Sequence, residues 1–106
     1  MRNLIGSALL AILMLPAVPM PVEAGPISAA CIRSDRDAAT RRMCNCLQSV
    51  ANGELNRTDQ RLAASFFQDP HKAQEIRQSD RRSHEKFWLR YKAYGETAAA
   101  LCSRYS

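Results

Sequence analysis

Four cysteines are the residues whose type and spacing point most directly to chemistry. Cys44 and Cys46 are separated by a single asparagine, whereas Cys31 and Cys102 lie far from each other on either side of that pair. In a helix, residues two positions apart point roughly 200° apart around the axis. Cys44 and Cys46 can therefore hardly bond to each other, and each is free to reach a different partner in the chain.

Four cysteines allow three disulfide pairings. A bond between Cys44 and Cys46 would close a very small, strained ring. Two pairings remain: Cys31 with Cys44 and Cys46 with Cys102, or Cys31 with Cys46 and Cys44 with Cys102. Either one closes a loop of about 13 to 15 residues and a loop of about 56 to 58, worth roughly 3 and 4 kcal/mol in the chain-entropy model. The sequence does not choose between them.

The same cysteines could instead carry thiol-redox or soft-metal chemistry. Cys44 and Cys46, with Met43 as a third sulfur ligand, would suit Cu(I). A thioredoxin-type site needs Cys-x-x-Cys and a c-type haem needs Cys-x-x-Cys-His, and the sequence contains neither motif. A metal site would also leave Cys31 and Cys102 without a role. Structural disulfides are therefore favoured, and thiol-redox or metal function is kept as an alternative.

Other catalytic patterns are weak. His71 and His84 are 13 residues apart and lack the spacing of zinc ligands, so we predict that both lie on the surface. The serines Ser65, Ser79 and Ser83 are not part of a nucleophile motif. We therefore expect a non-enzymatic protein without a metal or a cofactor.

A basic stripe is the strongest candidate for partner binding. Arg82, Lys86 and Arg90 recur at four-residue spacing, which places them along one face of a helix. The net charge of the chain is +5, which favours anionic partners. A basic helix of this kind holds an acidic protein or lies on an anionic membrane surface. We predict an envelope partner of that charge, and no nucleic acid, because the chain is expected to be exported.

The N-terminus has the features of a secretory signal. Arg2 precedes an apolar stretch from Leu4 to Val18, and Val22-Glu23-Ala24 resembles a small-x-small cleavage site. The apolar stretch is shorter than the roughly 20 residues of a membrane-spanning helix. We predict a cleaved signal peptide over residues 1–24, a single domain over residues 25–106 without a transmembrane segment, and a periplasmic or secreted location, where disulfides are stable.

Helical periodicity dominates residues 25–106, and no alternating run predicts a strand. After a lead-in of about one helical turn near Cys31, the predicted helices run from Ser34 or Asp35 to about Asn52, from Thr58 to about Gln68, from Pro70 to about Gln78 and from about Ser83 to Cys102. Gly95 costs the last helix about 1 kcal/mol relative to alanine and is a candidate kink.

These elements predict an all-α fold, a small disulfide-stapled bundle of three to five helices. A domain of this size has a marginal core, so the cross-links should matter for stability. The expected core consists of Met43, Leu47, Val50, Leu62, Phe66, Phe87, Tyr91, Tyr94 and Leu101.

Several runs of the sequence carry a resemblance. They are Asp59-Gln60-Arg61, Phe66-Phe67-Gln68-Asp69-Pro70-His71, Arg77-Gln78-Ser79-Asp80 and Phe87-Trp88-Leu89-Arg90-Tyr91-Lys92-Ala93-Tyr94-Gly95. Together with the four cysteines, they resemble a group of small exported bacterial helical proteins sometimes labelled "arginine transporter". The resemblance implies export and a helical fold. It also implies an alternative function, an accessory or binding component of amino-acid transport, for which Asp80, Glu85 and Glu96 are the carboxylates nearest the aromatic helix.

Overall fold

The computed structural model describes residues 25–106, which form five α-helices and contain no strand. The helices are α1 (Pro26–Arg33), α2 (Arg41–Glu54), α3 (Arg57–Ser65), α4 (Pro70–Arg77) and α5 (Arg82–Cys102), and a 3-10 turn (Ser103–Tyr105) follows. The prediction of an all-α, disulfide-linked bundle is confirmed. The predicted signal peptide lies outside the described residues. Among the helices described, none is long and apolar enough to cross a membrane.

Two helices begin at caps other than the predicted ones. Thr40 caps α2 by accepting a hydrogen bond from the Met43 N–H at 3.1 Å, so residues 34–40 form a loop and the helix starts later than predicted. Ser34 instead closes α1, where its hydroxyl donates to the carbonyl of Cys31 at 2.7 Å. Asn56, and not Thr58, caps α3. All four side chains are suitable caps, so the choice among them follows from where the packed helices end.

The lead-in segment is more helical than predicted. It forms the two-turn helix α1, with Pro26 at its first position, where a missing N–H costs nothing. The next residue, Ile27, is almost fully buried in the core. A helix as short as α1 is not stable alone, and burial of the Ile27 side chain holds it against the bundle.

Helix α2 is the centre of the bundle. Helices α1 and α5 both pack against it, α3 packs against α1, and α4 packs against α5. Two disulfides reinforce this arrangement: Cys31–Cys44 joins α1 to α2, and Cys46–Cys102 joins α2 to the end of α5. The two cysteines of α2 therefore reach different partners, as their spacing predicts, and the first of the two open pairings is the one formed.

The core is built from buried side chains of all five helices and of the segments that follow α2 and α3. They are Ile27, Val50, Ala51, Leu55, Ala63, Phe66, Ile76, Phe87, Tyr94, Ala98 and Cys102. Four of the predicted core residues are among them, and four others pack against its edge, namely Met43, Leu47, Leu62 and Tyr91. The prediction for Leu101 is wrong, because this side chain is 50% exposed. The disulfide turns Cys102 inward, and Leu101, about 100° away around the helix, faces solvent.

Helix α5 is one continuous helix of 21 residues through Gly95. Its inner face carries an aromatic cluster in which the ring centroid of Tyr91 lies 5.3 Å from that of Phe66 and 5.6 Å from that of Phe87. The Tyr94 hydroxyl donates to the carbonyl of Leu47 in α2 at 3.0 Å. These contacts hold α5 along its length, so the helix tolerates its glycine without breaking.

Candidate functional site

The predicted basic stripe lies on the outward face of α5. Arg82 and Lys86 are both exposed. Within the described residues, neither has a carboxylate within 4.0 Å, since the ion pairs there join Asp59 to Arg90 and His71 to Glu75. Their charges are therefore free to act on a partner.

Arg90, the third member of the stripe, is held within the fold. Its guanidinium donates to both carboxylate oxygens of Asp59 in α3, with Nε to Oδ2 at 2.6 Å and Nη2 to Oδ1 at 3.0 Å. The side chain of Asp59 is only 7% exposed, against 44% for Arg90. The hydrogen bond to Asp59 raises the pKa of Arg90 above its ordinary value. The structure thus gives Arg90 a fold-holding contact in addition to its predicted place in the stripe.

Leu89 is a large apolar side chain on the same outward face. It is 68% exposed, the highest value among the exposed large apolar residues of the described chain. Lys86 lies one turn before it and Lys92 one turn after it, and both are exposed. The outward face of α5 therefore combines unpaired cations with a single apolar anchor.

A groove on another side of the bundle has a volume of ≈ 370 Å³. Met43 and Leu47 of α2 line one side of it, and Tyr94 and Ala98 of α5 line the other. Phe67, which follows α3, adds to its wall. This volume falls within the range of small-molecule sites, and most of the wall is apolar.

One guanidinium lies at this groove. Arg36 lies in the loop between α1 and α2. Its guanidinium carbon Cζ is 5.6 Å from the ring centroid of Phe67, a cation–π distance. Burial raises the pKa of the Tyr91 hydroxyl, and the positive charge of Arg36 opposes that rise. Arg36 and Tyr91 are therefore close enough to interact electrostatically at the same groove.

The cysteines form no thiol site in the described chain, since all four are in disulfides and none is free. Three of them are almost completely buried, Cys31, Cys44 and Cys102. No group of three or more histidine, cysteine, aspartate or glutamate side chains in residues 25–106 could hold a metal ion.

The two histidines make local contacts. His71 is exposed and its Nε2 lies 3.4 Å from Glu75, one turn along α4. His84 is half-buried, with Nδ1 2.7 Å from the hydroxyl of Ser79, just before α5. The two side chains are in different helices, as predicted. His71 lies on the surface as expected, whereas His84 is only partly exposed. Each has a partner four or five residues away in the sequence.

Sequence reasoning did not single out Arg36, Asp59 or Gln48. No sequence pattern points to Arg36, because its position at the groove depends on the path of the loop. Asp59 is buried by α5, which no local pattern around it indicates. Gln48 is a glutamine on the inner face of α2, where the helical period could have identified it as a buried polar residue.

Comparisons with known proteins add no relative. No protein-family model matches the chain, and neither a curated protein nor a solved structure matches it.

Proposed function

We propose that this chain is an exported, non-enzymatic binding protein that holds an acidic protein of the cell envelope through the outward face of α5. The observation that carries the proposal is the pair of exposed cations, Arg82 and Lys86, without a carboxylate partner in residues 25–106. Leu89 on the same face supplies an apolar anchor. A rigid helix that presents charge around one apolar side chain fits a complementary acidic surface.

The apolar face of α5 points into the protein core, and this favours a protein partner over an anionic membrane. A helix that lies on a membrane buries a broad apolar face among the lipids. The large apolar residues Phe87 and Tyr94 of α5 are instead buried in the protein core. One outward leucine leaves too little apolar area for insertion, so electrostatic attraction to a protein is the better match.

The disulfides support export as part of this proposal. Two disulfides in a small domain are typical of oxidising compartments outside the cytoplasm. The periplasm is the compartment that we propose, since the predicted signal peptide and the resemblance described above agree with it.

An arginine-binding function has less support from the geometry. A free amino acid with a cationic side chain requires carboxylates that converge on a cavity. The groove between α2 and α5 is lined by one guanidinium and by no aspartate or glutamate among the described residues. Thermal-shift screening with arginine tests this alternative, and a saturable rise in melting temperature would restore it.

The test of the proposed function is capture of the partner with matched charge-reversal variants. The tagged, oxidised protein is purified from the periplasm of its own host, and co-purifying proteins are identified by mass spectrometry. We expect an acidic envelope protein to be lost with Arg82→Glu/Lys86→Glu. Arg90 is left intact, because its removal would strand the buried Asp59 carboxylate.

The control variant is Arg41→Glu/Arg42→Glu, which makes the same change of charge on two exposed residues at the start of α2. The partner should be retained with this variant. Equal recovery with both variants would contradict a role for α5. If the chain instead binds anionic lipid vesicles, and this binding depends on Arg82 and Lys86, the partner is a membrane surface and not a protein.

A further inference from the structure

The groove between α2 and α5 has the size and lining of a small-molecule site. Two smaller hollows, of ≈ 190 Å³ and ≈ 210 Å³, share Arg36 and Phe67 with it. The three spaces therefore meet at Arg36, with the larger apolar space running from there between the helices toward Cys102. An elongated apolar ligand with its polar end at Arg36 fits this shape.

The charge of the groove selects the polar end of such a ligand. Arg36 is the one ionised side chain in the lining, which contains no carboxylate. Stacking on Phe67 positions the guanidinium and leaves its N–H groups to bind an anion. A ligand with a single negative charge is therefore complementary to this groove, whereas a cation or a zwitterion is not.

A second donor lies at the same place. The Tyr91 ring is held between Phe66 and Phe87, but within the described residues its hydroxyl donates no hydrogen bond. Tyr94 differs, because its hydroxyl is already used by the Leu47 carbonyl. Tyr91 and Arg36 both line the main groove and one of the smaller hollows, so the Tyr91 hydroxyl is the second donor available at this place.

We propose that this groove binds an amphipathic carboxylate, such as a free fatty acid, with the carboxylate held by Arg36 and Tyr91 and the alkyl chain lying between α2 and α5. A guanidinium and a hydroxyl together form charge-assisted hydrogen bonds with a carboxylate. The methylene chain gains from transfer onto the apolar wall. The site does not involve Arg82 or Lys86, so this proposal is independent of the proposed function and is tested separately.

The test is calorimetric titration of the purified, oxidised chain with dodecanoate below its micelle concentration. We expect saturable binding with one ligand per chain. Dodecyltrimethylammonium, which has the same chain and the opposite charge, should bind at least tenfold more weakly, because its head would meet the Arg36 guanidinium. No saturable binding of dodecanoate, or equal binding of both amphiphiles, would overturn the proposal.

Matched variants test whether Arg36 and Tyr91 are the two groups that bind the carboxylate. Arg36→Gln should weaken dodecanoate binding roughly tenfold or more, the loss expected for one charge-assisted hydrogen bond. Arg33→Gln makes the same change on an exposed arginine of α1 that does not line the groove, and should bind as the unmodified chain does. Tyr91→Phe should weaken binding by a smaller factor and keep the ring packing. Equal affinity of Arg36→Gln and Arg33→Gln would overturn the assignment.

Discussion

The side chain of Gln48 caps the backbone of Ile27 across 21 residues of sequence, with the glutamine Oε1 accepting from the Ile27 N–H at 2.8 Å. The same oxygen accepts from the Ser28 N–H at 3.0 Å. The N-terminus of α1 is thus satisfied by a side chain of α2, because Gly25, its own capping residue, has no side chain. This places one buried amide at the junction of two helices.

Gln48 also anchors a buried polar network. Its Nε2 donates to Gln60 Oε1 at 2.8 Å and to Asn52 Oδ1 at 2.9 Å, and Gln60 Nε2 donates to the carbonyl of Leu55 at 3.1 Å. Gln48 is 1% exposed, so water cannot replace these partners if the amide is removed.

We expect Gln48→Leu to lower the free energy of unfolding by about 2 to 4 kcal/mol, because it leaves two N–H groups of α1 and the Oε1 of Gln60 without their hydrogen-bond partner. The measurement is urea denaturation of the oxidised protein. Gln74→Leu, at an exposed position of α4, is the control and should change stability by less than about 0.5 kcal/mol. Equal stability of the two variants would show that the network contributes little.

Position 25 requires glycine because the Gln48 side chain leaves no space for a Cβ. A Cβ at this position would lie 2.4 Å from the Cδ of Gln48, whose amide is held by its hydrogen bonds and cannot move aside freely. Gly25→Ala should therefore destabilise the fold by about 1 to 3 kcal/mol. Gly95→Ala is the matched control, since a Cβ there meets nothing within 4 Å and the residue lies inside α5. That variant should gain up to about 1 kcal/mol of stability, and a loss at Gly95 as large as at Gly25 would contradict this interpretation.

The two disulfides should contribute unequally to stability. Cys31–Cys44 spans 13 residues and Cys46–Cys102 spans 56, which correspond to about 3 and about 4 kcal/mol in the chain-entropy model. We expect the double serine variant of the longer bridge to have the lower melting temperature. Partial reduction with alkylation, followed by tandem mass spectrometry, should recover these two linkages, and a Cys44–Cys102 linkage would contradict the fold.

The pair of Asp59 and Arg90 should couple energetically. Arg90→Gln leaves the buried Asp59 carboxylate without its charged donor and should cost about 1 to 2 kcal/mol, a moderate value because Arg90 is half exposed and solvent screens the pair. Asp59→Asn alone should also destabilise the fold, and the double variant should lose less than the sum of the two. Additive losses in this double-mutant cycle would exclude the coupling. Lys92→Gln, at an exposed position of the same helix, is the control.

Stability should fall at alkaline pH because of Tyr94. Burial, followed by the nearby Tyr91, raises the pKa of the Tyr94 hydroxyl well above its ordinary value of 10.0. The unfolded chain then loses this proton at a lower pH than the folded chain does. The stabilising effect is therefore complete below about pH 10 and is lost progressively as the pH rises above that value.

The measurement is the free energy of unfolding as a function of pH. Tyr94→Phe should flatten the alkaline decline, since the phenylalanine has no proton to lose, although it also removes the hydrogen bond to the Leu47 carbonyl. Tyr105→Phe, in the C-terminal 3-10 turn, is the control and should keep the decline. An unchanged slope in Tyr94→Phe would assign the alkaline loss to other groups.

The basic stripe shows what a periodic pattern in the sequence can predict and what it cannot. The four-residue spacing of Arg82, Lys86 and Arg90 correctly placed them along one helix, since α5 contains all three. The pattern could not show that Arg90 bonds to Asp59, which is 31 residues away. A helical period gives directions around one axis, and a contact between helices depends on how two axes pack.

Local chemistry in the sequence determined the all-helical class, the continuity of most helices, the aromatic inner face of α5 and the divergence of Cys44 and Cys46 around α2. These properties depend on propensity, period and capping within a few residues. Tertiary structure alone decided which cysteine each of them meets, that Gln48 caps α1, and that Arg36 lies at an apolar groove. Each of these depends on the distance between segments far apart in sequence, which is set by the packing of the whole core.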